Sequence, residues 1–182
     1  MNMKFHIFGA SGSGTTSLGK SLARDFGITA FDADSYYWKK TDPHFTTKNS
    51  IPDRHRLLLN DMEGLDQWVL SGSMDSWSEP FRPLFSAAIF VTSNSELRIQ
   101  RLREREYAAY GERIKSGGDM HKDHEYFIKW AQQYEKGEME GRSLKRHEQF
   151  IKVLSCPVLQ LENNGDFSDF VNKAKKWLSW SS

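Results

Sequence analysis

A single cysteine, Cys156, is all the thiol the chain holds. An internal disulfide is therefore excluded, and a reducing cytoplasm is the compartment it fits. Charge of one sign is also missing: 25 lysines and arginines stand against 24 aspartates and glutamates in 182 residues. That balance offers no global field to nucleic acid or to a membrane, so any anionic partner must be met by a local cluster. Long apolar runs are absent, and the longest, around "FSAAIFV", is far too short to cross a bilayer. The opening "MNMKFHIFGASG" enters an apolar strand and a glycine turn without the features of a secretion signal. No internal repeat and no low-complexity linker interrupts the chain. The expectation is one soluble, intracellular domain, residues 1–182, large enough to bury a real core.

What is present alternates. "KFHIF", Lys4 to Phe8, reads as a strand feeding a glycine. Leu18, Leu22 and Phe26 recur every four residues and predict a helix from Thr15, stopped by Gly27. "ITAFD", "QWVLS", "AAIFVT" and "PVLQL" predict four further strands, and a helix starts near Pro52. Ser93 and Glu96 have capping-box spacing ahead of a long helix through "ELRIQRLREREYAAY". Residues 111–120, "GERIKSGGDM", predict a mobile glycine-rich segment, followed by helices near 121–136 and 141–154. Phe170, Ala174, Trp177 and Leu178 predict the inner face of a last helix. Such alternation predicts an α/β fold, with a parallel sheet covered on both faces.

Residues 9–16, "GASGSGTT", fit the phosphate-loop pattern G-x-x-x-x-G-K-[ST] at Gly9, Gly14 and Thr16, but Thr15 replaces the lysine. Gly9, Ala10, Ser11, Gly12, Ser13, Gly14 and Thr15 can turn backbone N–H groups toward a phosphate at a helix N-terminus, which needs no lysine. The Thr16 hydroxyl is placed to ligate Mg²⁺. The competing reading is an ordinary strand-to-helix turn that binds nothing. Without the lysine, a charge-assisted bond of about 1.5–3 kcal/mol is lost, and one missing transition-state donor slows chemistry roughly 10²–10³-fold. Arg98, Arg101 and Arg105 share one helix face, although spacing alone favours a solvated stripe. Arg113, Lys115, Arg142 and Arg146 could instead close over a polyphosphate, as guanidinium clamps do in the case of the arginines.

Phosphate loop, alternating strands, arginine helix and glycine-rich flap together resemble the adenylate kinase and shikimate kinase branch of the P-loop kinases. The segments "GASGSGTT", "FDADSYYW", "WVLSGS" and "GGDM" resemble those of small bacterial adenylate-kinase-like proteins. Archaeal-type cytidylate kinases also carry "GSGTT" without the lysine. The resemblance implies a five-stranded sheet in the order 2-3-1-4-5, a lid at about 106–140, an acceptor-binding insertion at about 33–65, and ATP with Mg²⁺. It implies that Arg101 meets adenine and Arg105 the phosphates, and that Arg142 and Arg146 close on the transferred group.

It also implies that the pair Asp32 and Asp34 holds Mg²⁺ indirectly, through Asp32, and contacts the acceptor, Asp34 taking or orienting its hydroxyl proton; alternatively, Asp34 only caps a turn. The same resemblance implies that Gly72 and Ser73 approach the acceptor through their backbones, but the adjacent aspartate and arginine of adenylate kinases are not matched cleanly. Tyr36, Tyr37, Trp38, His44 and Phe45 offer flat surfaces, or core, with Arg54 and Arg56 nearby for an anionic group. Asp119, His121, Asp123 and His124 read better as solvated side chains than as a metal shell. The resulting expectation is phosphoryl transfer to a small-molecule acceptor, a nucleoside monophosphate or another metabolite, with neither nucleic acid nor membrane as partner. A nucleotide-binding sensor without catalysis is the alternative. Sulfotransfer is weaker, because Gly12 stands where that family's loop has a lysine.

Overall fold

The structure is a computed structural model that describes residues 3–42 and 45–181, with only the backbone of the last two of these. Five strands form one parallel sheet: β1 (Lys4–Gly9), β2 (Thr29–Asp32), β3 (Trp68–Ser71), β4 (Ala87–Thr92) and β5 (Val158–Glu162). Their spatial order is β2-β3-β1-β4-β5. β1 lies at the centre, with Phe5 opposite Val69 on one side and Ala87 on the other.

Period-two alternation sends Phe5 and Ile7 to one face, where Leu18 and Leu22 of α1 (Thr15–Phe26) and Phe170, Ala174 and Leu178 of α7 (Phe167–Ser181) cover them. Phe8, Leu70 and Phe90 go to the other face. Leu58 and Met62 of α3 (Ile51–Met62) and Phe150 of α6 (Leu144–Val153) pack there. Burial on both faces explains why these strands read as nearly continuous apolar runs. A short α2 (Asp34–Tyr37) follows β2 directly. A third cluster, Ile99, Leu102, Ile128 and Ala131, joins α4 (Ser95–Tyr110) to α5 (His121–Gln132).

Three helix boundaries differ from expectation. Asn94 caps α4, its side chain accepting from Glu96 and Leu97 N–H, while the Ser93 hydroxyl donates to the Asn163 carbonyl. The expected helix at 121–136 stops at Gln132, and the one expected from 141 starts after Ser143, because Gly137 and Gly141 turn the chain through positive φ between them. Residues 111–120 form a hydrogen-bonded turn, in which Arg113 grips Asp119 and its carbonyl accepts from Met120 N–H.

Because all strands run the same way, the segments leaving β1, β2 and β3 emerge at one edge of the sheet. The strand order reverses around β1, the position at which such sheets hold ligands.

Candidate active site

The turn leaving β1 is closed by Ser13 N–H donating to the Ala10 carbonyl at 3.1 Å. Gly12 and Gly14 sit at φ 79° and 99°, and a Cβ on Gly12 would come within 2.5 Å of the Arg98 carbonyl oxygen. A side chain fits neither position. No side chain caps α1, so its first N–H groups open toward the loop, with the positive end of the helix behind them. Asn163, buried after β5, donates to the Ser13 carbonyl at 2.8 Å and ties the far side of the sheet to the loop. The tight glycine turn that the pattern predicts ahead of α1 is present.

A cation from the segment before α6 stands beside the loop. Arg142 Nη1 donates to Ser11 Oγ at 3.1 Å, and its Nη2 lies 3.7 Å from Asp34 Oδ1. Only 18% of the side chain is exposed, and the guanidinium lies over the Trp130 ring at 6.0 Å. One cation thus spans the phosphate loop and the carboxylate opposite it.

Thr16 donates its hydroxyl to Asp32 Oδ2 at 3.1 Å, and Asp34 N–H donates to Asp32 Oδ1 at 3.0 Å. Burial, and then the charge of Asp34, push the Asp32 carboxyl above the ordinary carboxylate range. A hydroxyl and a carboxylate side by side, the latter penalised for its charge, are the hard oxygen donors that Mg²⁺ takes together with water. These residues fit that ion.

After β3, a Cβ on Gly72, at φ 101°, would come within 3.1 Å of Ala33 Cβ and 3.4 Å of Asp32 Oδ1, and Ser73 follows it. An aspartate–arginine pair here is assembled from distant segments. Asp75 Oδ2 accepts from Arg146 Nε at 2.7 Å, and Arg146 Nη2 lies 2.6 Å from the same oxygen. Arg54 is 6% exposed. It donates to the Asn49 carbonyl and stacks on Tyr37 at 3.8 Å, with no carboxylate partner among the described residues.

The structure divides the remaining candidates. Arg98, read as part of a solvated stripe, is fully buried; it pairs with Glu135 and donates to the Ser11 carbonyl at 3.2 Å. Arg101 donates to Ser93 and to the Asn163 carbonyl beside the loop. Arg105 pairs with Glu106 and stands over Phe127, without contact to the loop. Arg113 is held by Asp119 and Asp42, Lys115 by Glu112 and Arg56 by Asp53. Tyr36 donates to Asp61, and Trp38 pairs with Lys48 across an isolated bridge. His44 lies outside the described residues. Asp119 is used by Arg113 and His121 by the Ile114 carbonyl. Sequence reasoning missed Asp75, Tyr134, His147 and Asn163. Only Asp75 had a local signal, its place in "SGSMDSW" just past Gly72.

No family model matches the chain. Among solved structures, it resembles the shikimate kinase of Acinetobacter baumannii in complex with shikimate (TM-score 0.57, 17% identity, 99% of this chain and 94% of that one). The gluconokinase of Sinorhizobium meliloti 1021 superposes at TM-score 0.55 and 15% identity, over 98% of this chain and 92% of that one. In sequence it is 36% identical over 179 residues to the Bacillus subtilis (strain 168) protein designated "Uncharacterized protein YqaC", covering 98% of this chain and 99% of that one. Identity at that level over the full length of both, together with this sheet order, makes the chain a member of the YqaC family with a P-loop kinase fold.

Proposed function

We propose that the protein is a kinase that transfers the γ-phosphoryl group of ATP to a hydroxyl of a small, anionic metabolite. The observation that carries this reading is Arg142, whose guanidinium bridges Ser11 of the phosphate loop and Asp34 across the gap. Phosphoryl transfer asks a protein mainly for alignment and for positive charge on the transferred group. The loop N–H groups and the α1 terminus would hold the β- and γ-phosphates, and Arg142 would neutralise charge developing between donor and acceptor. Arg101, on the Asn163 side of the loop, would border the nucleotide. Mg²⁺, held by Thr16 and by Asp32 directly or through water, would supply neutralisation of the phosphate charge.

The Asp34 carboxylate would accept the acceptor's hydroxyl proton as its oxygen bonds to phosphorus and the bond to the ADP oxygen breaks. Arg54 supports an anionic acceptor, because a buried cation without a counter-ion is costly until an anion arrives. A carboxylate or phosphate on the acceptor would meet it. Ligands that bind only the native state raise the melting temperature. The test is a thermal-shift screen of nucleoside monophosphates, nucleosides and hydroxylated carboxylates with Mg²⁺ and a nonhydrolysable ATP analogue, followed by coupled ADP-release assays. Nucleotide binding with turnover of an anionic hit is the expected result. Tight nucleotide binding without turnover across the panel would replace this reading with that of a sensor, which the absent loop lysine favours.

A further inference from the structure

Behind the acceptor wall runs a hydrogen-bond chain of five side chains from three segments. The Tyr134 hydroxyl lies 2.8 Å from His147 Nδ1, and His147 Nε2 lies 2.8 Å from Ser73 Oγ. Ser73 Oγ lies 2.9 Å from Asp75 Oδ1, and Asp75 Oδ2 receives Arg146. The interior of the chain is dry: His147 is 0% exposed, Tyr134 7% and Ser73 9%.

One arrangement of protons satisfies every link. A carboxylate facing a guanidinium accepts only, so Ser73 gives its single proton to Asp75. Ser73 Oγ then accepts from His147, which places the imidazole proton on Nε2. Nδ1 remains an acceptor, and Tyr134 donates to it. Burial, and then the positive charge of Arg142, lower His147 to about 3; His6 and Arg146 act in the same sense, and Asp75 opposes them. Burial raises the Tyr134 phenol above its usual range and keeps it a donor. The constituents are those of a nucleophilic triad, but their order is wrong for one: the Ser73 proton faces the carboxylate, and the imidazole cannot take it.

We propose that His147 is a positioning residue for the acceptor wall: its Nε2–H holds Ser73, Ser73 holds Asp75, and Asp75 presents Arg146 to the anionic group of the acceptor. Arg146 is suited to that contact. Its side chain is 39% exposed, and its Nη1 takes no protein acceptor among the described residues. The other end of the chain meets the phosphate loop, because the Tyr134 ring lies under Arg98 at 5.2 Å and Arg98 donates to the Ser11 carbonyl. Both walls of the site therefore share one buried support. The assignment rests on the kinase reading for the role of Arg146, but the support itself can be measured without any ligand.

The test compares His147→Phe, Ser73→Ala and His147→Gln, whose amide keeps a donor toward Ser73. Hydrogen exchange at Arg146 Nε–H is followed by NMR with the β1 amides as reference. ATP consumption is measured with a fixed mixture of nucleosides, nucleoside monophosphates and hydroxylated carboxylates. His147→Phe and Ser73→Ala should speed exchange at Arg146 about tenfold or more while β1 is unchanged. They should lower turnover about a hundredfold, the effect of misplacing a positioning group by about an ångström, and His147→Gln should restore both. Unchanged exchange at Arg146 in His147→Phe, or exchange rising in step with β1, overturns the positioning role. Wild-type protein that consumes no ATP with the mixture overturns the kinase reading instead, and the exchange result still decides the support.

Discussion

Replacing Arg142 by alanine removes the guanidinium that lies 3.1 Å from Ser11 and 3.7 Å from Asp34. Because that side chain is held in place before any ligand arrives and is largely shielded from water, its loss resembles deletion of a preorganised transition-state donor. Such deletions cost about 10²–10³-fold in kcat, or about 2.7–4 kcal/mol. Ground-state binding should suffer less, because the loop N–H groups and the α1 terminus remain. The KM for ATP should therefore rise by less than about tenfold. A second substitution makes the reasoning sharper. Thr15→Lys in the Arg142→Ala background returns an ammonium to the loop and should recover at least about tenfold of the lost rate. In the wild-type background it should add far less, since the two charges serve one phosphoryl group. The assay is coupled ADP release under saturating Mg²⁺–ATP, with calorimetry of a nonhydrolysable analogue for affinity and melting curves to check folding. A well-folded Arg142→Ala protein with kcat within about threefold of wild type would refute the assignment. So would a Thr15→Lys substitution that helps equally in both backgrounds.

Arg54→Met removes a buried cation that has no carboxylate partner while keeping its stem volume, so unliganded stability by urea titration should hold or rise. The KM for an anionic acceptor should rise at least tenfold, as for loss of a charge-assisted bond of about 1.5–3 kcal/mol. Gly12→Ala forces a side chain to φ 79° and against the Arg98 carbonyl, at a cost of about 1–3 kcal/mol, and should abolish the calorimetric signal of nucleotide binding. Burial lowers His6 to about 4 and, with Arg142, His147 to about 3, both from 6.5, so the unfolded chain takes up protons first. Their contribution to stability is fully present above pH 6.5 and is lost as pH falls to about 4 for His6 and about 3 for His147. Each should steepen the loss by up to about 1.4 kcal/mol per pH unit, measurable by urea titration from pH 7.5 to 5. A His6→Phe variant with the same slope would remove His6 from that account.

The sheet was legible because each strand carries its own evidence: β4 is "AAIFVT", bounded as expected at Ala87–Thr92. The glycine turn was legible for the same reason, since its backbone conformation is written in Gly9, Gly12 and Gly14 themselves. Helix ends were less so. Ser93 has the capping-box spacing, but a carbonyl brought in from the β5 side, that of Asn163, takes its hydroxyl, and Asn94 takes over the cap. The site's charges lay further out of reach. Ser11 and Arg142 are 131 residues apart, and Asp75 and Arg146 are 71 apart. Helix spacing could say that Arg98, Arg101 and Arg105 share a face but not that Arg98 faces inward. That depends on Glu135 and the Ser11 carbonyl, both supplied by packing.

On the proposed function, carrying the charge on Arg142 rather than on the loop changes what the site depends on. A loop lysine would stand on the same turn as the phosphate cradle and would be present whenever β1 and α1 are formed. Arg142 stands between Gly141 at φ 100° and Ser143, the buried cap of α6, so its place is set by how the α5–α6 connection docks. That docking is secured by Leu144 N–H on the Tyr134 carbonyl and by the Tyr134 hydroxyl on His147. The proposed catalytic charge is then coupled to tertiary packing rather than to local sequence. Substitutions at Ser143 or Tyr134, which the phosphate loop does not touch, should lower kcat through Arg142 while leaving nucleotide affinity within about tenfold. A Tyr134→Phe protein with lowered affinity for the ATP analogue and unchanged kcat would show that the charge does not depend on this support.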